Sequence, residues 1–181
     1  VVAGYVVAGA PGARDFDWRV IALDAEGSVR WEMRLDRTGF DLATALAVTA
    51  DGGAVVAGIS GRRDRDVRVA RFDGDGVVRW ERVLGGPKRD TIWGLATTPD
   101  GPVLAGSTGS AGAGSQDLWL VGLDDRGERR FARTYGGIMW DRAMAVAPAA
   151  DGGLWVAGYT TGAGAGFEDG WVLKLDRRGR R

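Results

Sequence analysis

An apolar–Asp pair followed by Gly returns about every fifty residues along this chain, and that spacing limits what the chain can fold into more than any other feature. It stands at Leu23-Asp24…Gly27, Phe72-Asp73…Gly76, Leu123-Asp124…Gly127 and Leu175-Asp176…Gly179, with Asp-to-Asp intervals of 49, 51 and 52. Other residues hold their offsets from that Asp. Seven before it come Asp17, Asp66, Asp117 and Asp169, and seven after it come Trp31, Trp80 and Phe131. Seventeen after it come Asp41, Asp90 and Asp141. Asp51, Asp100 and Asp151 then open the turns DGG, DGP and DGG, and each leads to an Ala-Gly at 57–58, 105–106 and 157–158. A fixed period of this length marks a repeat architecture.

Each unit reads as four short strands. In the second copy they cover 43–49, 54–59, 66–72 and 77–83. Asp-Gly pairs between β-rich segments are hairpin signals, because glycine adopts positive φ without a steric penalty. No segment carries a 3.6-residue apolar period with helix caps, so the sequence predicts an all-β chain. The third strand is apolar on both faces: Ile21/Leu23, Ala70/Phe72, Val121/Leu123 and Leu173/Leu175 on one, Val20, Val69, Leu120 and Val172 on the other. A sheet sandwiched between two others requires that pattern. Four strands in about fifty residues is the layout of a β-propeller blade. The expected division is a partial blade at 1–37, full blades at 38–86 and 87–137, and a partial blade at 138–181. That gives 3, 4, 4 and 3 strands, or about three and a half blades. Such an arc is expected as a piece of a larger ring, as a half that closes a ring with a second copy, or as an incomplete fragment.

Composition narrows the chemistry. The 24 basic and 24 acidic side chains cancel, leaving no net field for nucleic acid. No apolar run approaches the roughly 18 residues that span a bilayer. With no histidine and no cysteine, the commonest general base, the commonest metal ligand and any thiolate site are missing. No Ser or Thr has a histidine to activate it. The glycine-rich stretches 109–115 and 161–167 precede no GxxxxGK[ST] motif and open no helix, so they read as loops.

The segments LDAEGSVRWE and FDGDGVVRWE resemble the repeat of quinoprotein-type (PQQ-like) propellers, in which an Asp-x-x-Gly turn precedes a docking Trp. The fuller pattern DGGAVVAG…DVRVARFDGDGVVRWERVLGG more closely resembles bacterial propeller repeats, and kelch repeats share the layout. The resemblance implies the fold. The repeat, the neutral charge and the absence of catalytic residue types lead to the expectation of a non-catalytic binding or scaffolding module without a cofactor, open to a protein or glycan partner. The resemblance favours an extracytoplasmic setting, whether periplasmic, surface or secreted. A quinoprotein-like enzyme is the disfavoured alternative. Such sites need specific acid and amide side chains, and this chain has no Asn and one Gln, Gln116.

The DGG and Asp-x-x-Gly turns are short and regular, while the connections at the opposite end vary. Binding residues tend to sit on variable loops over a rigid scaffold, so any ligand face is expected there. Asp41, Asp90 and Asp141 fall at that end, as do Asp17, Asp66, Asp117 and Asp169. Carboxylates at repeated positions either fix their loops by accepting backbone N–H bonds or form a ring able to hold a cation. Recurrence in every unit favours the first, a structural role. The positions just before the first series break the repeat with Phe40, Arg89 and Trp140, a set able to contact a partner. Trp31, Trp80 and Phe131 are expected to pack between blades.

Overall fold

The Asp-Gly turns set the strand boundaries, and the chain is all-β. The computed structural model describes residues 1–8, 15–35, 40–61, 65–162, 164 and 166–181, the side chains of 2–8 and 15 excepted. The expected variable connections at 10–16, 36–41, 60–65 and 159–168 thus lie partly outside the described residues. The strands are β1 (Val2–Ala8), β2 (Asp15–Leu23), β3 (Val29–Leu35), β4 (Leu42–Val48), β5 (Ala54–Ser60), β6 (Asp66–Phe72) and β7 (Val78–Leu84). They continue as β8 (Asp90–Thr98), β9 (Gly101–Thr108), β10 (Asp117–Leu123), β11 (Arg129–Tyr135), β12 (Asp141–Pro148), β13 (Leu154–Thr160) and β14 (Asp169–Leu175).

They form four antiparallel meanders: β1-β2-β3, β4-β5-β6-β7, β8-β9-β10-β11 and β12-β13-β14. Among the described residues, the first sheet has no counterpart of β4, and the fourth has none of β7 or β11. Consecutive sheets pack face to face, with β4 touching β1 and β8, and β8 touching β12. Among the described residues no helix is long and apolar enough to cross a membrane.

Three cores fill the seams. Trp18 and Val20 of the first sheet meet Val56, Ala70 and Phe72 of the second. Val55, Ala57, Val67 and Val69 of the second meet Leu104, Trp119, Val121 and Leu123 of the third. Val103, Ala105, Leu118 and Leu120 of the third meet Leu154, Val156, Leu173 and Leu175 of the fourth. Alternate residues of one strand therefore enter different cores, which is why the third strands are apolar on both faces.

A latch joins each sheet to the next at the turn end. The Asp-x-x-Gly turn closes on itself: Asp73 Oδ1 accepts the N–H groups of Asp75 (3.0 Å) and Val77 (2.9 Å), and Asp124 Oδ1 those of Arg126 (2.9 Å) and Glu128 (2.8 Å). The outer-strand Trp of the preceding sheet lies on that turn. The Trp31 indole donates to Gly74 O (2.9 Å) and the Trp80 indole to Asp125 O (2.8 Å). Gly127 has φ +76, and a Cβ there would stand 2.8 Å from the Trp80 ring. A side chain would be strained there and would also lift the ring. Phe131 lies in the equivalent place beside Gly179, where an added Cβ would be 3.0 Å from its ring.

The first strands of the second, third and fourth sheets share a bulge, with register shifts at Ala43/Ala45, Ile92/Gly94 and Ala143/Ala145. It drives the strand carbonyl toward the next strand. A Cβ on Gly58, Gly106 or Gly158 would overlap Leu42 O, Thr91 O or Arg142 O. This close approach accounts for the recurring Ala-Gly pair.

Two outcomes follow for stability. Trp80→Ala removes a nearly buried indole and its hydrogen bond, and is expected to cost about 3–5 kcal/mol in urea unfolding. A loss below about 1 kcal/mol would show that the latch does not hold the seam. The second concerns pH. Backbone N–H groups, those of Val77, Glu128 and Arg180 first, hold the Asp73, Asp124 and Asp176 carboxyls below the ordinary aspartate value. With the folded value depressed, their stabilisation is complete above the unfolded pKa of about 3.9 and is lost as pH falls through the folded value. Thermal melting scanned from neutral to acid should therefore drop below pH about 4, and Asp124→Asn should shrink that drop.

Candidate functional site

At the end of the sheets opposite the latches, the backbone crosses each seam by one hydrogen bond. The amides of Asp41, Asp90 and Asp141 donate to the carbonyls of Phe16, Arg65 and Gln116 at 2.9, 3.0 and 2.8 Å. Parallel bridges accompany the first and third of these, Phe16↔Phe40 and Gln116↔Trp140. The residue before a third-strand Asp thus lies beside the residue before the next sheet's first-strand Asp. The pairs are Phe16 with Phe40, Arg65 with Arg89, and Gln116 with Trp140.

The carboxylates beneath this crossing brace loops. Asp90 Oδ2 accepts from the Gly86 amide and the Ser110 hydroxyl, both at 2.9 Å, and Asp141 Oδ2 accepts from the Gly137 amide at 2.9 Å. Asp117 Oδ2 and Asp169 Oδ2 accept from the Gly114 and Gly166 amides, each at 3.2 Å. Asp17 receives the Arg34 guanidinium, with Nε at 2.7 Å. Buried Asp41 lies 3.8 Å from Nη1 of the equally buried Arg68. A Cβ on Gly85 would stand 2.7 Å from Asp90 Oδ2 and overlap Asp66 Oδ1. One on Gly136 would stand 2.6 Å from Asp117 Oδ1 and overlap Asp141 Oδ2. Asp66 with Asp90 and Asp117 with Asp141 are thus each brought together around a glycine. Among the described residues no group of three or more carboxylates gathers as a metal ligand set would.

The side chains at the rim differ from seam to seam. Phe16 and Phe40 pack ring to ring at 5.0 Å, and the Arg65 guanidinium lies 4.6 Å from the Phe40 ring. Arg142, one residue after Asp141, is set among Trp140 (4.9 Å), Trp93 (5.5 Å) and Tyr159 (5.9 Å). Its Nη2 donates to Gln116 Oε1 (3.2 Å), which also receives the Ser107 hydroxyl (3.3 Å). Exposed Trp140 continues into exposed Ile138 and Met139.

Arg89 is an exposed cation of this rim, next to exposed Lys88. Burial first, then the like charges of Arg65 and Arg142, holds its guanidinium below the usual arginine value. Among the described residues neither Arg65 nor Arg89 forms an ion pair. Arg65 also has φ +31, and among the described residues it is the one non-glycine with positive φ. Such strain in a bulky residue persists only where the surroundings impose it.

The sequence had singled out Phe40, Arg89 and Trp140, but not Phe16, Arg65, Gln116, Trp93 or Arg142. The signal for the first three was available, since each precedes a repeated Asp by one residue. Trp93 and Arg142 depend on packing between neighbouring first strands, which no spacing in the sequence records. A separate cleft of about 760 Å³ opens beside β14, lined by Tyr135, Asp141, Asp169, Trp171 and Arg181 among others. Among the described residues no strand of the fourth sheet lies outside β14 there.

No family model matches the chain, and no curated protein matches it. Among solved structures it is similar to Sqt1 from Chaetomium thermophilum at 18% sequence identity and a TM-score of 0.35, over 66% of this chain. It spans 33% of the Sqt1 chain, and a likeness this slight carries no argument about fold or function.

Proposed function

We propose that the chain is an arc of a β-propeller that serves as a non-catalytic binding scaffold, with its ligand face at the variable-loop end. On this reading 1–37, 38–86, 87–137 and 138–181 are successive blades, and Phe40, Asp41, Arg89, Asp90, Trp140 and Asp141 mark the face. One observation carries it: an invariant frame supports a variable rim. Asp41, Asp90 and Asp141 cross their seams with the same backbone bond. The side chains one position earlier are phenyl, guanidinium and indole. Positions that serve folding must recur from unit to unit, whereas positions that serve a ligand need not. The carboxylates that general acid–base chemistry would call on are engaged in holding loops. Peptide and glycan arrays probed with the chain and with Trp140→Ser test the reading. The expected result is a ligand that the parent captures and the variant loses, with melting temperature unchanged. Equal capture by both would overturn it.

A second reading, closure of a ring with a second copy, is favoured by the open faces at the two ends. Val55 and Val69 of the second sheet are fully buried by the third. Their counterparts in the fourth sheet, Trp155 and Val172, are 47% and 65% exposed, next to Met144 at 45%. On the first sheet, the described side chains include a charged pair on the open face. Arg19 forks Glu32 at 2.8 and 3.0 Å, as Arg68 forks Glu81 at 3.0 and 3.2 Å. Arg68 is buried under Trp18 of the preceding sheet, 5.1 Å from its ring, whereas Arg19 is exposed beside half-exposed Leu23. Among the described residues each end thus lacks the kind of face that the other supplies. Sedimentation at micromolar concentration should show a dimer that Trp155→Glu dissociates. A monomer at that concentration would exclude this closure.

A further inference from the structure

We propose that the rim around the Arg65–Arg89 crossing binds an acidic polypeptide segment. Arg65 and Arg89 grip its carboxylates, Arg142 adds charge from beneath, and its apolar side chains rest on Ile138, Met139 and Trp140. The proposal rests on the ligand-face reading above and names the chemistry of the ligand.

Three observations converge. First, two cations share the crossing, while the carboxylates beneath it are engaged with loop amides. The backbone bond from Asp90 to Arg65 sets Arg65 and Arg89 side by side across a seam, and neither forms an ion pair among the described residues. By contrast, Arg19, Arg68, Arg71, Arg82 and Arg130 each meet a carboxylate within 3.0 Å. The charges of Arg65 and Arg142 act on Arg89, and a bound anion relieves that like-charge repulsion. Second, Arg65 is kept at φ +31, a backbone conformation disfavoured for a bulky residue. Third, Arg142, whose charge acts on Arg89, lies 4.9 Å from the ring of Trp140, which is 49% exposed and follows Ile138, 79% exposed, in the chain.

The choice of polypeptide over acidic polysaccharide comes from the hydrogen-bonding groups at hand. Guanidinium forks suit carboxylates bidentately, and either ligand could supply those. Sugar hydroxyls also call for amide or carboxylate partners. The chain's single side-chain amide, Gln116, has its oxygen engaged by Arg142 and Ser107, and Asp90 and Asp141 are committed to their loops. Branched Ile138 and flexible Met139 accommodate apolar side chains better than a flat sugar ring.

The test is titration of the whole chain with poly-L-glutamate, followed by tryptophan fluorescence and calorimetry at low salt. Arg65→Gln and Arg89→Gln should each weaken binding about tenfold, the range expected for losing a charge-assisted hydrogen bond. Arg130→Gln, whose partner Asp100 lies at the opposite end of the sheets, should leave binding unchanged. Circular dichroism identifies any variant that has lost its fold, and salt should weaken the parent's binding. Absence of binding to poly-L-glutamate would overturn the proposal, as would equal loss in Arg130→Gln or tighter binding of polygalacturonate. If an array ligand were lost in Trp140→Ser while poly-L-glutamate failed to bind, the ligand-face reading would stand and the acidic-peptide assignment would fall.

Discussion

An aromatic ring laid over a glycine turn sets the spacing between neighbouring sheets. The Asp-x-x-Gly turn is rigid because one carboxylate oxygen collects two amides. It also has no side chain where the ring must lie. Trp80 therefore meets a flat surface with one carbonyl, Asp125 O, turned toward its indole N–H. Most of the energy is burial, while the hydrogen bond fixes direction. The latch acts at one end of the sheets, but its effect reaches the other. Once adjacent sheets are held at a fixed separation, the amide of Asp90 falls within 3.0 Å of Arg65 O at the far end of the same seam. The loop-end frame thus depends on packing at the turn end.

The bulge in β4, β8 and β12 does the corresponding work between first strands. It turns one extra residue toward the following sheet: Thr44, Trp93 and Met144. The Thr44 hydroxyl donates to Ile92 O, and Trp93 receives the Arg142 guanidinium, so two of the three tie neighbouring first strands together. Met144 faces open space. The same backbone device thus gives a hydrogen bond, a cation–π contact and an exposed thioether, depending on which residue fills it.

The fold was largely legible because its determinants are local and repeated. A period of about fifty residues, Asp-Gly turns and two-faced apolar strands fix strand number and sheet order without knowledge of long-range contacts. The expected boundaries 43–49 and 77–83 fall one residue from Leu42–Val48 and Val78–Leu84. The bulge has little signature in the sequence, because its cause, the overlap that a Cβ on Gly58 would make with Leu42 O, joins two strands and leaves only a recurring Ala-Gly. The rim was half legible. Phe40, Arg89 and Trp140 show themselves by breaking the repeat. Their partners Phe16, Arg65 and Gln116 belong to other strands, and only the crossing of the seam pairs them. Like-charge proximity of Arg65, Arg89 and Arg142 has no signature in a chain whose net charge is zero.

The seams also differ from one another, and the difference bears on specificity. At one third-strand position the chain carries Arg19, Arg68, Trp119 and Trp171. Between the first two sheets that position holds a buried guanidinium paired with Glu81 and stacked on Trp18. Between the second and third it holds an indole in an apolar core. Replacing a buried ion pair by apolar groups seldom costs stability, so stability alone does not call for the ionic version. A guanidinium that must find both a carboxylate and an aromatic face accepts fewer neighbours than an indole does. Arg68 therefore discriminates among the sheets that could cover it. Arg19, carrying the same fork to Glu32 on an open face, imposes the same demand on whatever sheet comes to lie there.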